Sequence, residues 1–157
     1  LSTDGNFETP ESDKEKRILL IGASGSAGHG SIGSGDKQYA SNSDGLRAFP
    51  YLVKRMYDTE IDEINASGWG VYWGWNKQDG TDNIPAAFKC VGIAQGANLV
   101  RKEYDYTKDK YDLIIVNLGM NDFNAYIKYS NTDEQKQERI SIYKQKVKAF
   151  YELLTST

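Results

Sequence analysis

The chain has 157 residues, 39% hydrophobic and 26% charged, with 3 prolines; this near-average globular composition excludes wholesale disorder, collagen and coiled coil. Nineteen basic residues against 22 acidic ones leave a net charge of −3 with no Lys/Arg cluster, so no nucleic acid and no anionic membrane surface is expected as a partner. The longest apolar runs, Ile18–Ile21 and Leu113–Val116, fall far short of the roughly 20 residues of a membrane span, and the length suits one domain.

Residues 1–16 are polar, acidic and turn-rich, and read as a linker or tail before a domain over residues 17–157. Arg17–Ile21 (RILLI) is a short apolar run closed by Gly22, the pattern of a strand buried on both faces. Residues 22–45 are rich in glycine and serine and read as loop. A helix is expected from Ser43 or Asp44 to Tyr57, with Leu46, Phe49, Leu52, Val53 and Met56 on one face and Pro50 tolerable only in its first turn. Ile61 and Ile64 suggest a second strand before Ser67-Gly68, and Ile84–Val91 a short helix. Tyr111–Leu118 (YDLIIVNL) is the clearest strand, again closed by glycine. The last helix is capped by Thr132 with Gln135 three residues on, and carries an apolar stripe of Ile140, Tyr143, Val147, Phe150 and Leu154. Strands alternating with helices predict a three-layer α/β/α sandwich with a central, mainly parallel sheet.

Ligands of such sheets gather at the carboxyl ends of the strands. Gly22–Gly30, Ser67–Gly70 and Gly119–Asp122 lie there. The first segment, IGASGSAGHG, has three readings. Gly22, Gly25 and Gly28 can form a phosphate cradle at a helix start. Ser24, two residues beyond the strand, can serve as a nucleophile whose own N–H helps bind an oxyanion. The third reading is a plain turn. The third segment, NLGMNDF, places the Asn121 amide, a neutral donor suited to an oxyanion, at the same sheet edge. Equally, Asn121 and Asp122 suit the capping of a turn or helix.

Nucleophile, glycine and asparagine on three successive strand ends resemble the SGNH hydrolases, or GDSL-type esterases. The blocks are Gly22-Ala23-Ser24-Gly25-Ser26-Ala27-Gly28-His29-Gly30, Asn65-Ala66-Ser67-Gly68 and Gly119-Met120-Asn121-Asp122. Within that superfamily the chain is most similar to the family 2 carbohydrate (acetylxylan) esterases, where Ser67-Gly68-x-Gly70-Val71-Tyr72 has a counterpart and an N-terminal β-sandwich precedes the hydrolase. The resemblance implies Ser24 as nucleophile, with the Ser24 N–H, the Gly68 N–H and the Asn121 side chain forming the oxyanion hole. It implies an extracellular esterase that needs no cofactor and acts on acylated, in the first instance acetylated, carbohydrate.

Two departures stand out. Ala23 replaces the usual aspartate of the first block, and the Asp-x-x-His block near the family's C-terminus is missing. The sole histidine, His29, lies five residues after Ser24, too close in sequence to approach the hydroxyl from another strand's loop. The chain, which starts at Leu1 rather than Met, is therefore expected to be the N-terminal major portion of a hydrolase domain, C-terminally incomplete. A further polypeptide segment would supply the histidine base beside the Tyr111–Leu118 strand. Trp69 and Trp73, with Tyr72 and Trp75 nearby, are candidates for contact with sugar faces, or else core residues. No metal is expected: Asp79–Asn83 lacks calcium-loop spacing, and the lone Cys90 reads as a small core residue. Two alternatives stay open: an NAD(P)-binding Rossmann domain using Gly22, Gly25 and Gly28, and a non-catalytic SGNH-like binding module.

Overall fold

The computed structural model describes residues 14–33, 40–75, 78, 80, 81, 83–90, 103–105 and 108–156. Most of the expected tail, Asp79 of the acidic loop and Val91 of the expected short helix lie outside the described residues.

Strand β1 (Arg17–Gly22) runs between β2 (Glu60–Asn65) and β3 (Leu113–Asn117), parallel to both, in the order β2-β1-β3. Its central position explains its sequence. Ile18, Leu19, Leu20 and Ile21 are buried in unbroken succession, because both faces of a covered parallel sheet are dry. Register pairs Ile21 with Ile64 and Val116, and Gly22 with Asn65 and Asn117.

The chain steps from β1 outward to β2, then returns past β1 to β3. Right-handed crossovers then place the two connections on opposite faces of the sheet. Helix α1 (Phe49–Tyr57) packs beside β2 on the first connection, and α2 (Ile84–Phe88) belongs to the second. Leu19 and Ile21 share one core with Trp69, Val71, Ile84, Ala87, Phe88, Phe150 and Leu154. Thus α2 and the long α4 (Asp133–Thr155) cover one face, and Ile18 and Leu20 point to the other. Helix α3 (Met120–Tyr129) leads from β3 toward α4.

Three expectations change. The single helix from Ser43 or Asp44 is broken: Asp44 caps only a 3-10 turn over Gly45–Arg47, Ala48 is extended, and α1 starts at Phe49. Pro50 lacks an N–H and its ring would collide with the carbonyl four residues earlier, so the helix restarts where Pro50 falls in its first turn. Leu46, Phe49, Leu52 and Met56 are exposed, whereas Ala48 and Pro50 are buried. Helix α3 has no counterpart in the expectations, since a glycine start disguises it. Within the apolar stripe of α4, Phe150 and Leu154 are buried in the core and Tyr143 packs half-buried against it, whereas Val147 is exposed. The expected Thr132–Gln135 capping box is present, with both bonds at 3.2 Å.

Candidate active site

The order β2-β1-β3 creates a switch point between β1 and β3, and crevices at such points are where open parallel sheets place ligands. The loop after β1 is a tight turn. Ala27 N–H donates to Ala23 O at 3.0 Å, His29 N–H to Ser24 O at 3.0 Å and Gly28 N–H to Gly25 O at 3.4 Å. Gly28 and Gly30 have φ of 72° and 71°, which side-chain-bearing residues rarely adopt. Ser24 is half-buried, and its hydroxyl makes no hydrogen bond among the described residues. Ser26 is only 1% exposed, and its Oγ accepts from Asn117 Nδ2 at 3.2 Å. A Cβ on Gly22 would lie 2.1 Å from Ser26 Oγ and 2.8 Å from Asn65 Oδ1, so glycine is required under this hydroxyl.

After β2, Ala66 N–H donates to Gly22 O at 3.3 Å, and Trp69 N–H closes a turn on Ala66 O at 3.2 Å. Gly68 is the third residue of that turn, and its φ of 78° is what a type II turn demands there. Asn65 donates its amide to Glu63, and partial burial holds the Glu63 carboxyl above its ordinary value.

After β3, Gly119 with φ of 114° opens α3, and no side chain caps that helix. Asn121 and Asp122 instead reach across to the aromatic segment, which corrects their reading as caps. Asn121 Nδ2 donates to the Trp69 carbonyl at 2.8 Å, and the residue is 7% exposed. Asp122 accepts Val71 N–H at 2.8 Å, Tyr72 N–H at 2.9 Å and Trp73 N–H at 2.9 Å. The close approach of its carboxylate leaves room only for glycine at position 70. Cations of α4 grip the same segment, Arg139 over Trp73 at 4.8 Å and Lys146 over Tyr72 at 4.8 Å.

The Asn121 side chain and the turn carrying Gly68 are thus joined by a hydrogen bond, while no hydrogen bond links Ser24 to either among the described residues. Trp69 and Trp73 are 3% and 4% exposed, whereas Trp75 is 52% exposed. Trp69 belongs to the core. Trp73 borders a cavity of about 560 Å³ whose walls include Gly119, Phe123, Tyr126 and Tyr143. Burial, helped by the nearby Asp122 charge, pushes the Tyr143 phenol above its ordinary value. His29 is half-buried within the same turn as Ser24. No cluster of metal-ligating side chains occurs among the described residues, and no described helix is long and apolar enough to cross a membrane. Ser26, Asn65, Asn117 and Asp122 were not singled out by sequence as structural supports of the site. Their signal, asparagine at the end of both outer strands, becomes visible only with the register.

No family model and no curated protein matches the sequence. Solved structures do. An acetyl xylan esterase from the rumen bacterium Butyrivibrio proteoclasticus is 24% identical, with a TM-score of 0.76 over 98% of this chain and 46% of that one. A family two carbohydrate esterase from Cellvibrio japonicus is 19% identical, with a TM-score of 0.72 over 91% of this chain and 39% of that one. Another, from Clostridium thermocellum in complex with cellohexaose, is 21% identical, with a TM-score of 0.63 over 94% and 42%. The chain spans less than half the length of each of these proteins. At such identities the likeness is one of architecture, and the chain shares the α/β fold of these carbohydrate esterases.

Proposed function

We propose that this chain carries the nucleophile and oxyanion donors of a serine esterase that removes acyl, chiefly acetyl, groups from carbohydrate. Ser24 attacks the acyl carbonyl. The N–H groups of Ser24 and Gly68, with the Asn121 amide, stabilise the resulting oxyanion. Asn121 spends one amide proton on Trp69 O, which leaves one for the oxyanion. The bond from Asn121 to the turn holding Gly68 is the observation that carries this reading: it couples two of the three proposed donors at the carboxyl edge where Ser24 stands. Of the tryptophans only the solvent-facing Trp75 offers ring surface to a sugar, since Trp73 is buried beneath Arg139. A polymeric substrate of this kind places the action outside the cell.

An unassisted serine hydroxyl is a weak nucleophile, so the mechanism needs a base. His29 N–H is bonded to the Ser24 carbonyl, which confines its backbone to the nucleophile's own turn. The base is therefore assigned to a further polypeptide segment beside β3. That strand pairs with β1 alone among the described strands, and Leu113 and Val116 on it are exposed. The family resemblance also allows an N-terminal β-sandwich as a partner domain.

The test is acetyl-ester hydrolysis by the 157-residue chain, by the complete protein and by its Ser24→Ala variant. Loss of the nucleophile and base partnership typically costs about 10⁴-fold or more. The isolated chain and the variant are expected to be near background, and full activity in either overturns the assignment. The single histidine favours one second reading, a non-catalytic binding module; its signature is saturable binding of acetylated xylan by a complete protein without turnover. The dinucleotide alternative is disfavoured. The N–H groups of Ala27, Gly28 and His29 are already bonded within the turn, and no α-helix precedes Phe49 among the described residues. Saturable NAD(P)H binding would reinstate it.

A further inference from the structure

The carboxyl ends of the three strands carry a polar knot that the esterase reading does not use. Gly22, Asn65 and Asn117 occupy one register level. Ser26 sits over Gly22, buried, and accepts the Asn117 amide at 3.2 Å. Asn65 Oδ1, a buried acceptor with no hydrogen-bond partner, lies within 3 Å of the point where a Cβ on Gly22 would stand, as does Ser26 Oγ. Ser26 is two residues beyond Ser24, and Asn117 four residues before Asn121. Beyond the strand ladder, the Ser26–Asn117 bond is the one hydrogen bond joining the two loops among the described residues.

We propose that Ser26 and Asn117 are positioning residues whose mutual hydrogen bond sets the separation of the Ser24 hydroxyl from the Asn121 amide. The inference rests on the esterase reading above. Its physical basis is that the other hydrogen bonds of the two ends run elsewhere, Asn121 and Asp122 to residues 69–73 and the loop after β1 to residues 42–44 and 66. Beyond the strand ladder, the Ser26–Asn117 bond alone therefore ties the nucleophile's loop directly to the end of β3 among the described residues. Reaction rates are steep in such placement, with a displacement of about 1 Å costing on the order of 100-fold. Neither residue touches the reacting atoms.

The experiment measures kcat and KM for an acetyl ester with the complete protein and its Ser26→Ala, Asn117→Ala and doubly substituted forms. Each single change should lower kcat about ten-fold or more and leave KM within about two-fold, because orientation rather than substrate binding is lost. The double variant should match either single one, since the bond is broken only once. Asn117→Asp, which offers Ser26 an acceptor instead of a donor, should recover most of the loss. An unchanged kcat, a rise confined to KM, multiplying losses or no recovery by Asn117→Asp overturns the proposal. Should Ser26→Ala fail to fold, Asn117→Ala decides alone, because Asn117 lies at the exposed end of β3. Ser24→Ala separates the two levels: full activity in that variant defeats both. Background activity there together with normal kcat in Asn117→Ala defeats only the positioning role.

Discussion

At the scale of single residues, Asn121 and Asp122 are chain neighbours with different duties. Two carboxylate oxygens of Asp122 serve three backbone N–H groups of residues 71–73 in a buried setting. Removing an acceptor strands buried donors at about 1–3 kcal/mol each. Asp122→Ala is therefore expected to cost about 3–5 kcal/mol in urea unfolding, and Asp122→Asn less, because one oxygen remains. Gly70→Ala strikes the same joint, since its Cβ would stand 2.3 Å from Asp122 Oδ2 and 2.4 Å from Trp73 O. Overpacking of that kind costs about 1–3 kcal/mol. Asn121→Ala should instead cost about 10²- to 10³-fold in esterase kcat, the range for loss of one oxyanion donor. A smaller kinetic effect than that of Asp122→Asn would reverse the division of duties.

Elements show how far local signals reach. The capping box of α4 was legible because Thr132 and Gln135 bond within three residues of each other, whatever the rest of the chain does. Thr132→Ala should accordingly lower stability by about 1 kcal/mol, read from the urea midpoint. The apolar face of α1 was equally regular in sequence, yet Phe49, Leu52 and Met56 on it are exposed and only Val53 is half-buried. Periodicity says that a face exists; it does not say what meets it. Leu52→Lys should thus change stability by no more than about 0.5 kcal/mol. Leu20→Ala, in the middle of β1, should cost about 2–5 kcal/mol. Comparable effects of the two would place α1 wrongly.

Over the whole molecule, the amino-terminal edge of the sheet is tied by charge, opposite the proposed chemistry. Arg17 pairs with Asp62 at 2.7 Å and Asp109 at 3.3 Å, and Tyr111 donates to Asp62 at 3.0 Å. Asp112 accepts the Arg17 N–H at 2.9 Å, a bond that, with Lys16, holds its carboxyl below the usual range. A depressed carboxyl contributes stability above its unfolded value and loses it as pH falls through the folded one. Asp112→Asn should therefore flatten the acid limb of the stability–pH curve. Burial first, and then the bond to Asp62, raise the Tyr111 phenol. Its contribution is complete below its ordinary value near 10 and is lost as pH rises beyond it, so Tyr111→Phe should flatten the alkaline limb. Unfolding titrations in urea from acid to alkaline pH check both signs.

What the sequence determined by itself was whatever local chemistry dictates. Four consecutive apolar residues closed by glycine made β1 a buried strand, the similar run before Gly119 gave β3, and Ile61 with Ile64 gave β2. Glycines at positions 68 and 119 announced turns that other residues rarely adopt. Ser24, Gly68 and Asn121 were legible as candidates because short motifs at strand ends carry their own geometry. Tertiary structure alone decided the rest. Strand order and register put Asn65 and Asn117 on either side of Gly22, which made Ser26 a buried hydrogen-bonded hydroxyl. Packing placed Trp69 and Trp73 inside and Trp75 outside, although all three share one aromatic run. A bond between residues 51 positions apart, as from Asp122 to Val71, leaves no mark in either neighbourhood. Such pairings depend on loop closure and sheet register, properties of the folded chain rather than of any segment of it.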